Sequence, residues 1–162
     1  MNMKGIEKII SGGQTGVDQG ALEFALSHGV VCDGYCPKGR MCEDGRIPDR
    51  YPLTELMSEE YEARTLKNVR ESDGTLILVR DGNQGEGTRL TIHYCQELKK
   101  PFEVLDMSMD RQEMFDMFIQ WLEDSDIRVL NVAGNRESHD MGIHEETIEF
   151  LEFLFEVKKV IS

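Results

Sequence analysis

The stretch Ser11-Gly12-Gly13-Gln14-Thr15-Gly16-Val17-Asp18 constrains this chain more than any other. It follows the isoleucine-rich run Ile6 to Ile10 and leads into Gly20-Ala21-Leu22-Glu23-Phe24-Ala25-Leu26. That order reads as a strand, a glycine turn and a helix. Glycine backbone at a helix start offers unpaired N–H groups to an anion, reinforced by the positive end of the helix dipole. The loop therefore reads as a phosphate- or nucleotide-binding turn.

The rest of the chain continues the alternation. After strand Ile6–Ile10 comes a helix over Gln14–His28, with Leu22, Ala25 and Leu26 on one face. A short strand at Val30–Cys32 precedes a Gly-, Pro- and charge-rich loop that runs to about Tyr51. A helix over Ser58–Ser72 turns Leu66 and Val69 inward; Tyr61 stands where a capping box would want Glu or Gln, so its start is soft. Thr75–Val79 is nearly all apolar, as in a strand buried on both faces. Gly87–Lys99 is helical and Pro101 stops it. Strand Phe102–Leu105, helix Arg111–Glu123, strand Ile127–Val132 and a closing helix over His144–Val160 complete the order. This pattern predicts one α/β domain over residues 1–162, a Rossmann-like three-layer sandwich with a mainly parallel central sheet and helices on both faces. Right-handed crossovers bring every strand's carboxyl end to one edge.

Charge and size narrow the function classes. The net charge of −13 argues against a nucleic-acid backbone as partner. The imbalance is local: residues 103–156 carry 15 acidic against 3 basic groups, so the half with the glycine loop is nearly neutral. No apolar run is long enough to span a bilayer and no secretory leader is visible, so a cytoplasmic protein without a membrane partner is expected. Cys32, Cys36 and Cys42, with His28 near, match no common zinc spacing; they and Cys95 read as reduced thiols, and no metal is expected.

Ligands of such sheets bind outside the carboxyl ends of the strands. Four loops of unusual chemistry leave that edge. The first is Ser11–Asp18. The second runs from Gly34 through Lys38, Gly39 and Arg40 to Arg46. The third is Asp81-Gly82-Asn83-Gln84-Gly85-Glu86-Gly87-Thr88, and the fourth is Ala133–Ser138. Loops one and three each set glycines and a threonine at a helix start. Lys38, Arg40 and Arg136 are the natural charge partners of a phosphate. The expected ligand site is therefore Gly12, Gly13, Gln14, Thr15, Gly16, Asp18, Lys38, Gly39, Arg40, Gly85, Gly87, Thr88 and Arg136. Neither a P-loop nor a dinucleotide fingerprint is present, so an ATPase and a standard nicotinamide site are not expected. Asp18 either favours its helix start or accepts a hydrogen bond from a ligand. Thr65, Asn68 and Ser72 form a polar stripe, read as a solvated face or a contact with a neighbouring loop. His93, His139 and His144 read as surface or core histidines.

These strings, with Cys36-Pro-Lys-Gly-Arg40, Glu43-Asp-Gly-Arg-Ile-Pro48, Tyr51-Pro-Leu53, Arg64-Thr65, Asn68-Val69, Ser72-Asp-Gly-Thr75 and Asn131-Val-Ala-Gly134, resemble the molybdenum cofactor carrier-like family of the SLOG superfamily. The resemblance runs in order over roughly residues 8–138. It implies a Rossmann-like sheet and a site for an anionic nucleotide-like or pterin-phosphate ligand; in algal carrier-type relatives that ligand is the molybdenum cofactor. It also implies that Gly12, Gly13, Thr15 and Gly16 form a first phosphate loop, and Gly85, Gly87 and Thr88 a second. Superfamily members that cleave nucleoside monophosphates carry a catalytic Glu in a Pro-Gly-Gly-x-Gly-Thr-x-x-Glu motif, where Thr91 stands here.

Two functions follow as expectations. One is a binding or carrier protein for a phosphorylated nucleotide-like or pterin ligand, with molybdenum cofactor as the carried group. The alternative is a hydrolase of a nucleotide or of the N-glycosidic bond of a nucleoside monophosphate, using Asp18, Glu43, Asp44 or Glu86 in place of the missing Glu; no catalytic set is fixed. Ile148, Phe150, Leu151, Phe153, Leu154, Phe155 and Val157 occupy more than one face of the closing helix, which leads to the expectation of a homo-oligomer.

Overall fold

A computed structural model describes residues 3–157. Fourteen elements follow one another among them. They are β1 (Lys8–Ile10), α1 (Val17–Ser27), β2 (Cys32–Asp33), β3 (Tyr35–Cys36), β4 (Met41–Cys42), β5 (Gly45–Arg46) and β6 (Thr54–Glu55). Then come α2 (Tyr61–Glu71), β7 (Gly74–Val79), α3 (Glu86–Glu97), β8 (Phe102–Asp106), α4 (Arg111–Asp124), β9 (Val129–Gly134) and α5 (Ile143–Leu154).

The central sheet has the order β2-β1-β9-β7-β8. Every neighbouring pair in it is parallel. The last strand is thus inserted between the first and β7, which sets the loops after β1, β7 and β9 side by side. Successive side chains of a strand alternate faces, so each face can carry its own chemistry. Leu76 and Leu78 of β7 and Leu130 and Val132 of β9 join the large core under α1, α4 and α5. Asn131 turns the other way, where its Nδ2 donates to Thr75 Oγ1 at 3.2 Å. That second face, covered by α2 and α3, is the polar one.

The strand and helix types match the alternation read above, with boundaries moved by specific contacts. The last strand starts at Val129 rather than Ile127 because Asp73 Oδ2 accepts from the Arg128 and Val129 N–H groups, at 3.0 and 2.8 Å. Ile127 instead packs in the core and faces Gly74, where a side chain would collide with it. Helix α5 begins at Ile143 because Glu137 accepts from the Gly142 and His144 N–H groups, satisfying two donors of its first turn. Leu26 is exposed and Leu66 only half-buried, against the inward positions expected for both. On α2 it is Arg64, Asn68 and Val69 that are buried.

The long loop to Tyr51 is not irregular. It contains the antiparallel β4–β5 pair and leads to β6, which pairs with β3. Leu22, Cys36, Cys42, Ile47 and Tyr51 form a second small core beneath it. Cys32 packs against that core, and all four cysteines are free thiols. Burial pushes the Cys32, Cys36 and Cys95 thiols up, as suits packed rather than reactive sulfur.

The closing helix buries one side within the chain. Phe150, Leu151, Leu154 and Phe155 are fully buried, between α1 on one side and α4 on the other. The Phe155 ring stacks on Phe24 at 5.7 Å and meets Phe118 edge-on at 5.5 Å. Phe153 and Val157 pack half-buried against the same core, and Ile148 is half-buried, so part of the apolar surface behind the oligomer expectation is covered within one chain. The expected extension of this helix to Val160 ends outside the described residues.

Candidate functional site

The loops after β1, β7 and β9 and the facing sides of α2 and α3 enclose a cleft of about 470 Å³. It descends from the carboxyl edge of the sheet between α2 and α3 to Asn131 on β9. This is where a doubly wound sheet binds its ligands.

Of the residues expected from sequence, Gly12, Gln14, Asp18, Gly85, Gly87, Thr88 and Arg136 line the cleft. Gly13, Thr15 and Gly16 lie behind it. A side chain on Gly13 would run into Leu53 and Ile47, and one on Gly16 into the Asn135 carbonyl oxygen. Both glycines have φ of 84°, the left-handed region that favours glycine. The Thr15 hydroxyl donates to Glu43 Oε1 at 2.6 Å and accepts from the Glu137 N–H at 3.1 Å. At the start of α1, Val17 donates to the Asn135 carbonyl and Gln19 to the Gln14 carbonyl, and no side chain caps the helix. The first glycine loop is therefore close-packed on its Gly13 and Gly16 side, while Gly12, Gln14 and Asp18 face the cleft.

Lys38, Gly39 and Arg40 are not brought to the cleft. Lys38 and Gly39 are exposed. The Gly39 N–H donates to Glu55 Oε1 at 2.7 Å. Arg40 is buried and its guanidinium donates to the carbonyls of Ile47, Leu53, Pro48 and Tyr51. It pins the β3–α2 segment from inside, and its guanidinium is engaged by these carbonyls rather than turned to the cleft where it was expected to meet a phosphate.

The second glycine loop keeps an open helix start. No side chain caps α3, and a methyl on Gly87 would meet nothing within 4 Å. Asn135 fixes this loop to the β9–α5 loop. Its Oδ1 accepts from the Gly85 N–H at 2.9 Å and from the Thr88 hydroxyl. Its Nδ2 donates to the Asn83 carbonyl at 3.0 Å and to Asp140 Oδ2 at 2.7 Å. Arg89 and Arg136 stand at the same outer end. Arg136 is partly exposed, lies 3.7 Å from Glu43 Oε2 and covers the Tyr61 ring at 5.6 Å. Glu43 itself accepts from Thr15, from the Ser138 N–H and from the Ser138 hydroxyl. Burial acts to raise its carboxyl, but those hydrogen bonds outweigh it and hold it below the usual range.

The inner end has residues that sequence alone did not single out. Arg64 is 6% exposed and donates from Nη1 to the Gly12 carbonyl at 2.7 Å. The same nitrogen lies 3.8 Å from Asp18 Oδ2. Burial lowers the Arg64 guanidinium, with Asp18 opposing. Burial pushes the Asp18 carboxyl up to about 6, against the pull of Arg64 and a hydrogen bond from the Gln14 N–H. Thr65 and Asn68 of the polar stripe line the cleft. Asn68 is saturated, clasping the Tyr35 N–H and carbonyl, while the buried Ser72 hydroxyl donates to the Val69 carbonyl. Thr91 also lines the cleft, and its hydroxyl donates back to the Gly87 carbonyl at 2.9 Å. His139 is an exposed cleft residue. Among the described residues no group of three or more His, Cys, Asp or Glu could hold a metal ion, and no helix is long and apolar enough to cross a membrane.

Fold and cleft together define a Rossmann-like α/β sandwich with a polar cavity at the carboxyl edge of a parallel sheet. Residues 9–155 match the circularly permutated YpsA SLOG family, and the chain belongs to that family. A comparison with curated proteins finds no match. Among solved structures, the chain is similar to a protein of Syntrophus aciditrophicus SB named "Putative molybdenum carrier protein". The two are 40% identical, the match covers 93% of this chain and 95% of that one, and the TM-score is 0.88.

Proposed function

We propose that this protein binds and carries an anionic, phosphorylated nucleotide-like or pterin ligand, with molybdenum cofactor as the leading candidate cargo. One observation carries the reading: the uncapped start of α3 at Gly85–Thr88 opens into the cleft beside Arg89 and Arg136. Unpaired N–H groups, the positive helix end and two guanidinium groups suit a phosphate. The name of the Syntrophus protein supports the carrier role. The cleft also fits the organic part of such a ligand, because its inner end offers polar side chains rather than a second cluster of cations. Mass spectrometry of small molecules released from the purified protein tests this. A phosphorylated heterocycle is expected; a ligand without phosphate would overturn the reading. Arg136→Ala should weaken binding of a phosphomonoester about tenfold, the loss of one charge-assisted contact.

A hydrolase of nucleoside monophosphates is the second reading. The observation that favours it is the buried Asp18 carboxyl, which can hold or release a proton near neutral pH inside the cleft. Thr91, with its hydroxyl turned to Gly87, offers no such group. Release of free base that disappears in Asp18→Asn would support hydrolysis, and no release from any nucleotide would refute it.

A further inference from the structure

The Gln14 side chain is held in one orientation and left half used. Its Oε1 accepts from the Thr15 N–H at 3.1 Å and from the Glu43 N–H at 2.8 Å. Turning the amide over would set its NH2 against two N–H donors, so the assignment is fixed by its partners. The opposite atom, Nε2, is buried and has no hydrogen-bond partner. Gln14 is 6% exposed and lines the cleft. A buried donor left unpaired costs about 1–3 kcal/mol, so a native protein that keeps one at a cleft wall has a use for it.

The neighbours of this donor say what it meets. Asp18 lines the same wall and accepts from the Gln14 N–H at 3.2 Å. Its carboxylate disfavours a phosphate there. The Arg64 charge is already shared between Asp18 and the Gly12 carbonyl. Gln14 and Asp18 therefore place one neutral donor and one acceptor on this wall, whereas the start of α3 offers a helix end beside Arg89 and Arg136. Gly12, Ala133 and Gly134 line the cleft with little or no side chain, which leaves width for a ring.

We propose that Gln14 and Asp18 read the lactam edge of a flat heterocycle: a ring carbonyl accepts from Gln14 Nε2, and the adjacent ring N–H donates to Asp18. The inference rests on the phosphorylated-ligand reading above, since the phosphate at α3 is what turns the ring inward. A 6-oxopurine and a 4-oxopterin share this edge. Adenine inverts it, with an amine in place of the carbonyl and a bare nitrogen in place of the N–H. A site built on such contacts rejects the inverted edge strongly.

The test is a calorimetric titration of the intact protein at pH 7.5 with GMP, IMP, AMP, ribose 5-phosphate and a 4-oxopterin phosphomonoester. GMP and IMP should bind with similar affinity, and at least about tenfold more tightly than AMP. A tighter pterin ester assigns the edge to a pterin and a tighter GMP to a purine; both agree with the proposal. AMP binding as well as GMP would overturn it and leave the phosphate reading intact. No binding by any of the five would remove the phosphate reading and this inference with it. Gln14→Glu keeps the acceptor for Thr15 and Glu43 but replaces the free donor, so the GMP-to-AMP ratio should fall to about one. An unchanged ratio would overturn the role of Gln14. The wild-type comparison decides the matter if that variant does not fold.

Discussion

Arg64 donates to the Gly12 carbonyl at 2.7 Å, and its side chain fills the space a β-carbon on Gly12 would need. Such a carbon would stand 2.5 Å from Arg64 Cδ. The glycine is thus required by a side chain from a distant helix, and together they shape the inner end of the cleft.

The glycines of this loop should separate cleanly by mutation. Gly12→Ala meets the flexible Arg64 side chain, so it should displace Arg64 and weaken ligand binding with a modest loss of stability. Gly16→Ala meets the Asn135–Glu137 backbone at a positive φ. It should cost about 2 kcal/mol or more, a fall in Tm of about 4–8 °C. Thermal melts paired with titrations check both. Equal melting temperatures for the two variants would contradict the assignment.

Arg40 should behave as a structural residue. Arg40→Met leaves four buried or half-buried carbonyls without their donor. A loss of about 2–4 kcal/mol is expected in denaturant unfolding. The affinity of the folded fraction for a phosphomonoester should be unchanged, in contrast to Arg136→Ala. A specific loss of affinity in Arg40→Met would return Arg40 to the binding site.

Glu43 joins the β4–β5 pair to the loops after β1 and β9 through Thr15 and Ser138. Its carboxyl lies below the usual range when folded. The contribution is therefore present above the ordinary carboxylate value and lost as pH falls through the folded one. Glu43→Gln should be less stable than wild type by about 1–2 kcal/mol at pH 7, with the gap closing toward pH 3. A gap independent of pH would show that the charge of Glu43 plays no part.

Asp18 has the opposite sign. Burial raises its carboxyl to about 6. Its stabilising contribution is present below the unfolded carboxylate value and is lost as pH rises through about 6. Arg64, Arg136, Gln14 and Ser11 face it and pull the other way. Ring recognition needs the ionised, accepting form. The GMP-to-AMP affinity ratio, in which the phosphate titration cancels, should therefore collapse as pH falls from 7.5 to 5. A ratio flat across that range would show that Asp18 does not receive the ring N–H.

The alternation of strands and helices was legible because its periods are strong, as in the unbroken apolar run of β7. The glycine loops were legible as positions but not as roles. Nothing in Ser11–Asp18 tells that Asn135, more than a hundred residues on, closes the start of α1 with its carbonyl. Arg64 was hidden for a related reason: an arginine on a helix reads as solvated, and only the packing of α2 against Gly12 buries it. Asn135 and Gln14 were visible as loop residues, yet their use depends on partners set by the sheet order. The apolar residues of the closing helix were legible, but not that Phe155 would meet both Phe24 of α1 and Phe118 of α4 in the same chain.

The claim at the centre of this account is that the start of α3 holds the phosphate. Gly87→Ala tests it most directly, because Gly87 lines the cleft and an added methyl finds open space in the fold. Replacing a glycine in the first turn of a helix should leave the Tm unchanged or raise it slightly, by less than about 1 kcal/mol of stability. Calorimetric titration with the phosphomonoester that binds the wild type should show affinity reduced at least about tenfold, a loss of some 1.4 kcal/mol. Undiminished affinity in Gly87→Ala would contradict the account.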